Sequence, residues 1–121
     1  MTEWIVLEEP CLGHPLRVSA CPAGRDCAVV ILGGSRPHVG AVSAAYWEEE
    51  SLRCETSAGR GHRDNVVSRR FARALAMHLR GNVSVSCGIH YDDLTKEGLA
   101  QVLATAERLL EELTVQLESN R

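Results

Sequence analysis

The sequence predicts an α+β fold, a mainly antiparallel sheet of about six strands with two helices packed on one face. Three observations predict it. Short apolar and polar alternations, broken by Gly- and Pro-containing turns, fill the first half of the chain. Val67, Phe71, Leu75 and Leu79 then recur at four-residue steps, and a later stripe runs from Leu99 to Leu117. Between these two helical patterns stands one more strand pattern, so the order is five strands, a helix, a strand and a helix.

Trp4 to Leu7 forms the first strand, and Gly13-His14 between Pro10 and Pro15 turns the chain. Leu16, Val18 and Ala20 alternate with polar neighbours as the second. After the turn at Pro22 to Asp26, Cys27 to Leu32 is an unbroken apolar run. A strand of that kind is expected at the centre, covered on both faces or at least shielded on its outer one. Ala41 to Trp47 makes the fourth strand, Glu48-Glu49-Glu50 a solvated turn, and Leu52 to Thr56 the fifth.

The first helix begins at Asp64 or Asn65 and stops at Arg80-Gly81-Asn82. Its Arg69, Arg70, Arg73 and Arg80 read as a solvated basic face, paired in part with the second helix. Val83, Val85 and Cys87 alternate with Ser84 and Ser86 as the sixth strand, whose pattern ends at Gly88. Thr95 is the N-cap of the last helix, with Leu94 and Leu99 stapled across it. That helix, about 35 Å long, exceeds a strand of about 20 Å, so its leucines are expected to overhang and to mediate homo-oligomer or partner contact.

The 121 residues are expected to form a single domain, residues 1–121. A net charge of -3 argues against general nucleic-acid binding. No stretch approaches a membrane span or a signal h-region, so a cytoplasmic protein without membrane contact is expected. The cysteines Cys11, Cys21, Cys27, Cys54 and Cys87 are odd in number and contain no Cys-x-x-Cys pair, which reads as thiols and not a disulfide framework.

Strand direction organises the polar residues. If short connections alternate direction, four loops fall at one end, here called upper: Gly13-His14, Gly33 to Gly40, Gly59 to Asp64 and Gly88 to Asp93. They hold His14, His38, His62 and His90, four of the five histidines. The lower turns at Pro22 to Asp26 and Glu48 to Ser51 hold none. This concentration marks a functional end of the sheet.

Gly59-x-Gly61-His62-Arg63 opening a helix can bind a phosphate through backbone donors, Arg60 and Arg63. Gly33-Gly34-Ser35-Arg36 is expected to supply a second donor nest. His38, His62 and His90, with Asp92 or Asp93, have the ligand types for a divalent metal, or could serve as acids and bases. Against these stands a plainer reading, in which Asp92 or Asp93 caps a helix and His90 is a turn residue.

Gly33-Gly34-x-x-Pro37-His38-Val39-Gly40-Ala41-Val42, Gly61-His62-Arg63-Asp64 opening a helix with Arg69 and Arg70, and Gly88-Ile89-His90-x-Asp92-x-x-Thr95 together resemble the LpdD-like prenylated-flavin chaperone family, over roughly residues 30–115. The resemblance implies a non-catalytic accessory protein that binds prenylated flavin mononucleotide and helps supply it to a UbiD-type decarboxylase, with the flavin prenyltransferase as a second partner. The positions carried over are Gly34, Pro37, His38, Gly61, His62, Arg63, His90 and Asp92; Gly33 and Arg36 join them from the loop reading. Two alternatives stay open at this point. One is a small metal-dependent enzyme built on the His/Asp cluster, the other an assembly subunit acting through its C-terminal helix.

Overall fold

A computed structural model describes residues 3–59 and 64–120. Eight elements follow in order: β1 (Ile5–Cys11), β2 (His14–Ala23), β3 (Asp26–Gly34), β4 (Ala41–Glu48), β5 (Ser51–Ala58), α1 (Asp64–Leu79), β6 (Val83–His90) and α2 (Lys96–Ser119). The α+β class and the element order are as the alternations predict.

The strands form one sheet in the order β1-β2-β3-β6-β4-β5. Every pair is antiparallel except β3 with β6, which run parallel. The directions therefore agree with the parity argument, although one neighbour relation does not. The connection from β3 to β4 is no hairpin, because β6 occupies the place between them. Inserting β6 there lets both of its edges find backbone partners, Cys27 to Gly34 on one side and Ala41 to Ala45 on the other.

Alternation sends one side of each strand to a single core. Leu16, Val18, Val29, Ile31, Val85 and Cys87 are fully buried beneath Phe71 and Leu75 of α1 and Leu109 and Leu113 of α2. Each such Leu or Phe contributes roughly 2 kcal/mol through the area it removes from water. Helix α1 covers β4, β5 and β6, while α2 covers β1 and β2. Thr95 caps α2 as expected, its hydroxyl accepting the Gly98 N–H at 3.0 Å. The two helices are tied by Arg70 to Glu107 at 2.6 Å and by His78 to Glu118, which bears out the pairing expected of part of the basic face.

Three expectations are corrected. Strand β6 does not end at Gly88 but runs on to His90, because Gly88, Ile89 and His90 stay in register with Leu32, Gly33 and Gly34. The leucines of α2 do not overhang: Leu113 and Leu117 are buried within the chain. The strands are seven to ten residues long, more than the length that suggested an overhang, so the basis for oligomerisation through this helix is gone. Finally, β3 is central but covered on its core side alone, with Val30 and Leu32 only half-buried and Ala28 exposed on the other.

No helix among the described residues is long and apolar enough to cross a membrane. The cysteines are free thiols, with Cys11, Cys27 and Cys87 buried.

Candidate functional site at the upper end of the sheet

The upper end gathers the ends of β1, β3 and β6 and the starts of β2, β4, α1 and α2. His14, His38 and His90 all stand there. His62, together with Arg60, Gly61 and Arg63, lies outside the described residues.

The connection 35–40 must pass β6 to reach β4, and two close approaches define its path. A Cβ on Gly88 would lie 1.4 Å from the His38 carbonyl oxygen, and one on Gly40 would lie 2.0 Å from Asp64 Oδ2. Only glycine fits at either place. The crossing is fastened at both ends, by the Ser35 N–H to the His90 carbonyl at 2.8 Å and the Gly40 N–H to the Cys87 carbonyl at 2.9 Å.

Asp64, the first residue of α1, is the buried centre of the arrangement. Its Oδ1 accepts the Ile89 N–H at 2.9 Å and its Oδ2 lies 3.1 Å from His38 Nε2. The other nitrogen of His38 lies 3.1 Å from the Arg36 carbonyl. One carboxylate thus joins the β3–β4 crossing, β6 and α1, and its negative charge at a helix N-terminus is favoured by the helix dipole. Burial, and secondarily the Asp64 charge, pushes the Cys87 thiol well above the ordinary thiol range. Cys87, fully buried beneath the helices, is a packed core thiol.

A second, solvent-facing cluster stands beside the first. His90 Nε2 lies 3.0 Å from Asp92 Oδ1, and the Arg36 guanidinium is 3.8 Å from the same oxygen. The Ser35 hydroxyl is 3.3 Å from Asp92 Oδ2. The hydrogen bond with His90, followed by the Arg36 charge, holds the Asp92 carboxyl below its usual range. The rings of His38 and His90 are 6.5 Å apart, close to edge-on. Each faces its own carboxylate, and among the described residues no group of three His, Cys, Asp or Glu side chains is placed to hold a metal. The metal expectation on His38, His62 and His90 thus finds no support there.

The stretch Gly33 to Arg36, expected as a donor nest, is partly engaged within the fold. Gly33 and Gly34 complete β3 in register with Ile89 and His90, and the Ser35 amide is already engaged. Arg36 and Pro37 lie exposed on the crossing.

Alongside the polar clusters, the N-termini of α1 and α2 part to leave a cleft of about 440 Å³. Val67, Ile89, Leu94, Leu99, Val102 and Leu103 give it apolar walls, and Asp64, His90 and Lys96 stand among them. A smaller hollow of about 280 Å³, with Ser35, Asp92 and Asp93 in its wall, shares Tyr91, Leu94 and Thr95 with the cleft. Tyr91 is buried between them and donates its hydroxyl to the His14 carbonyl at 3.1 Å. Burial raises its phenol well above the ordinary range, followed in effect by Cys11.

Lys96 and the apolar walls are absent from the residues read as a site from the sequence, while Ser35 enters there only through the expected donor nest and Asp64 only as the last residue of a motif. Asp64 was visible as a carboxylate opening a helix after a Gly-His-Arg run. The walls were hidden because Leu99, Val102 and Leu103 read as one helix stripe, with no sign that its first turn stands clear of α1.

Comparison with known proteins bears on this arrangement. Residues 11–118 match the family described as the prenylated flavin chaperone LpdD-like domain. The chain is 32% identical over 96 residues to Protein LpdD of Lactiplantibacillus plantarum, an alignment spanning 78% of this chain and 68% of that protein. A solved structure of a novel chaperone complex for yeast 20S proteasome assembly superposes with a TM-score of 0.63, over 94% of this chain and 98% of that one. At 11% identity that likeness is one of fold alone. The family match is wider than the motifs of the three loops, reaching from β1 almost to the end of α2, and with it the chain belongs to the LpdD-like prenylated-flavin chaperone family.

Proposed function

We propose that this chain, acting in the cytoplasm as a single-domain accessory protein, binds prenylated flavin mononucleotide at the upper end of its sheet and passes it to a UbiD-type decarboxylase. The observation that carries the reading is the apolar cleft between the helix N-termini, set directly against a cluster of cationic and histidine side chains. A prenylated flavin has those two faces, a greasy ring system and a dianionic phosphate. A cleft of about 440 Å³ is within the range of small-molecule sites, roughly 300–1,000 Å³.

In this reading Ile89, Leu94, Leu99, Val102 and Leu103 receive the ring system and its prenyl addition. Arg36, His38, His90 and Lys96 meet the phosphate, aided by Gly61, His62 and Arg63 of the connection outside the described residues. Asp92 and Asp64 orient the two histidines. The bound cofactor would supply the decarboxylation chemistry only in the partner enzyme. The role of this chain is to hold the cofactor, shield it and let it go. An open, half-lined cleft suits release better than a closed one, since burying less of the ligand leaves a faster off-rate. The prenyltransferase that makes the cofactor and the decarboxylase that consumes it are the two partners the reading requires.

Titration of the purified chain with flavin mononucleotide and with its prenylated form, followed by flavin absorbance and thermal stability, tests the proposal. The prenylated form is expected to stabilise the chain more strongly. His90→Ala and Lys96→Ala are each expected to weaken binding by about tenfold, equivalent to about 1.4 kcal/mol. Absence of any response to either flavin, with the chain folded, would refute it.

A further inference from the structure

We infer that the outer face of α1 is where an acidic surface of the accepting decarboxylase docks, an inference that rests on the reading of this chain as a cofactor carrier. From Asn65 to Arg80 the sequence has four arginines and no Asp or Glu, although the chain as a whole carries a net charge of -3. Helical spacing gathers the exposed residues. Val66, Arg69, Arg70, Arg73 and Met77 follow at steps of three or four and share one side of the helix, away from Val67, Phe71 and Leu75, which face the core.

Only part of this charge is spent inside the fold. Arg70 is held by Glu107 of α2 through two hydrogen bonds, at 2.6 and 3.2 Å, and Arg80 lies over the Trp47 ring. Arg69 and Arg73, one helical turn apart, are exposed and form no ion pair among the described residues. Val66 and Met77 flank them, 58% and 54% exposed. Arginine and methionine are the residue types enriched where proteins meet.

The neighbouring helix has the opposite sign. On α2 the exposed Val115 stands among Glu111, Glu112 and Glu118, and Arg108 is bound to Glu9 at 2.9 Å. An acidic partner is therefore drawn to α1 and turned away from α2, which selects one of the two helix faces.

Position gives this face its use. Val66 and Arg70 line a groove of about 230 Å³ between the helices, and that groove meets the upper-end cleft at Val67 and Leu103. An enzyme seated on α1 thus stands beside the cleft, where a released flavin has a short path to travel. The face from Val66 to Met77 is only about 17 Å long. Contacts of that size belong to the transient class, below about 1,200 Å² in total, and a carrier must leave after delivery.

The test uses the full-length chain and a purified apo UbiD-type decarboxylase, with association followed by biolayer interferometry at about 0.05 M and about 0.5 M salt. The wild type is expected to associate at least about tenfold faster at the lower salt. Arg69→Glu combined with Arg73→Glu should slow association there at least about tenfold and remove most of the salt dependence. Arg69→Lys with Arg73→Lys should preserve both, and Glu111→Lys with Glu112→Lys should not slow association. The molar mass of the chain alone, by light scattering, should be the same in the wild type and the double Glu variant.

No association by the wild type, or association indifferent to salt and to the double Glu variant, would overturn the inference. So would a molar mass that changes with that variant, which would make a second copy the occupant, or tighter binding of duplex DNA than of the decarboxylase. Flavin titration is a separate readout, in which the double Glu variant should match the wild type. Association that persists in a chain without flavin affinity would refute the carrier reading and leave this contact standing.

Discussion

The two ends of the sheet use the same residue types in opposite ways. At the lower end, Asp26 accepts the Asn82 N–H at 2.8 Å and the Asn82 side chain accepts the Trp47 N–H at 2.9 Å. The Asn82 carbonyl takes the Cys27 N–H at 3.0 Å, and the Arg80 guanidinium lies 4.5 Å from the Trp47 ring centre. Those polar groups are spent on main chain and on one indole, so they close the fold. At the upper end, Asp64, the Tyr91 hydroxyl and the Thr95 hydroxyl bond main chain in that manner, but a second set does not. His90, Asp92, Arg36 and Ser35 contact chiefly one another in reach of solvent, next to an apolar cleft. The difference separates polar residues that seal an end from those that present chemistry to a ligand.

The largest expected effect comes from glycines that let backbone approach backbone, with one taken from each end for comparison. Gly88→Ala places a Cβ 1.4 Å from the His38 carbonyl oxygen, and Gly81→Ala places one 2.0 Å from the Arg25 carbonyl oxygen. Both should destabilise in denaturant unfolding, by about 3 kcal/mol or more. Only Gly88→Ala should also abolish flavin binding under conditions where the protein remains folded. If Gly81→Ala abolished it equally, the two ends would not be functionally distinct.

Smaller effects should follow from the two polar keystones. Asp64→Ala leaves the half-buried Ile89 N–H without this acceptor and removes one partner of the His38 ring, at a cost of about 1–3 kcal/mol. Asn82→Ala should cost a similar amount at the lower end. Ligand affinity is expected to fall with the first and to hold with the second, as calorimetric titration of both variants would show.

The smallest effect concerns pH. The folded-state pKa of Asp92 is depressed by His90 and Arg36, so the unfolded chain binds the proton more readily and stability rises with pH through that window. The contribution is complete above the ordinary carboxylate range and is lost as pH falls through the depressed value. Being exposed and screened, it is small. Asp92→Asn should flatten this part of the acid limb in unfolding curves recorded from about pH 6 to about pH 2, whereas Asn82→Ala should lower the whole curve without changing its slope.

Much of this architecture was legible in the chain because period-2 alternation and four-residue steps report the face that each element buries. Val83, Val85 and Cys87 could be assigned to a strand, and Thr95 to a cap, without any tertiary knowledge. Direction followed from connection length, which is why His14, His38 and His90 could be placed at one end. Order did not follow. Nothing in the alternation of β6 distinguishes a central from an edge position, and its place beside β3 depends on where α1 can pack. The continuation of β6 through Gly88 was hidden for a related reason: the glycine that reads as a strand terminator is required there by the crossing at His38. The leucine stripe of α2 told truthfully that one face is buried, but not that the sheet was long enough to bury all of its C-terminal half.

The central claim is that the upper end, and not the lower end or the open sheet face, receives the flavin. Its most direct test is backbone amide chemical-shift mapping of the isotopically labelled chain during titration with prenylated flavin mononucleotide. The account predicts the largest shifts at Ser35 to Gly40, Ile89 to Lys96 and Leu99 to Leu103, with Asp26, Gly81 and Asn82 unmoved. Shifts centred on Val30, Val42 and Ser84, or on the lower turns, would contradict it.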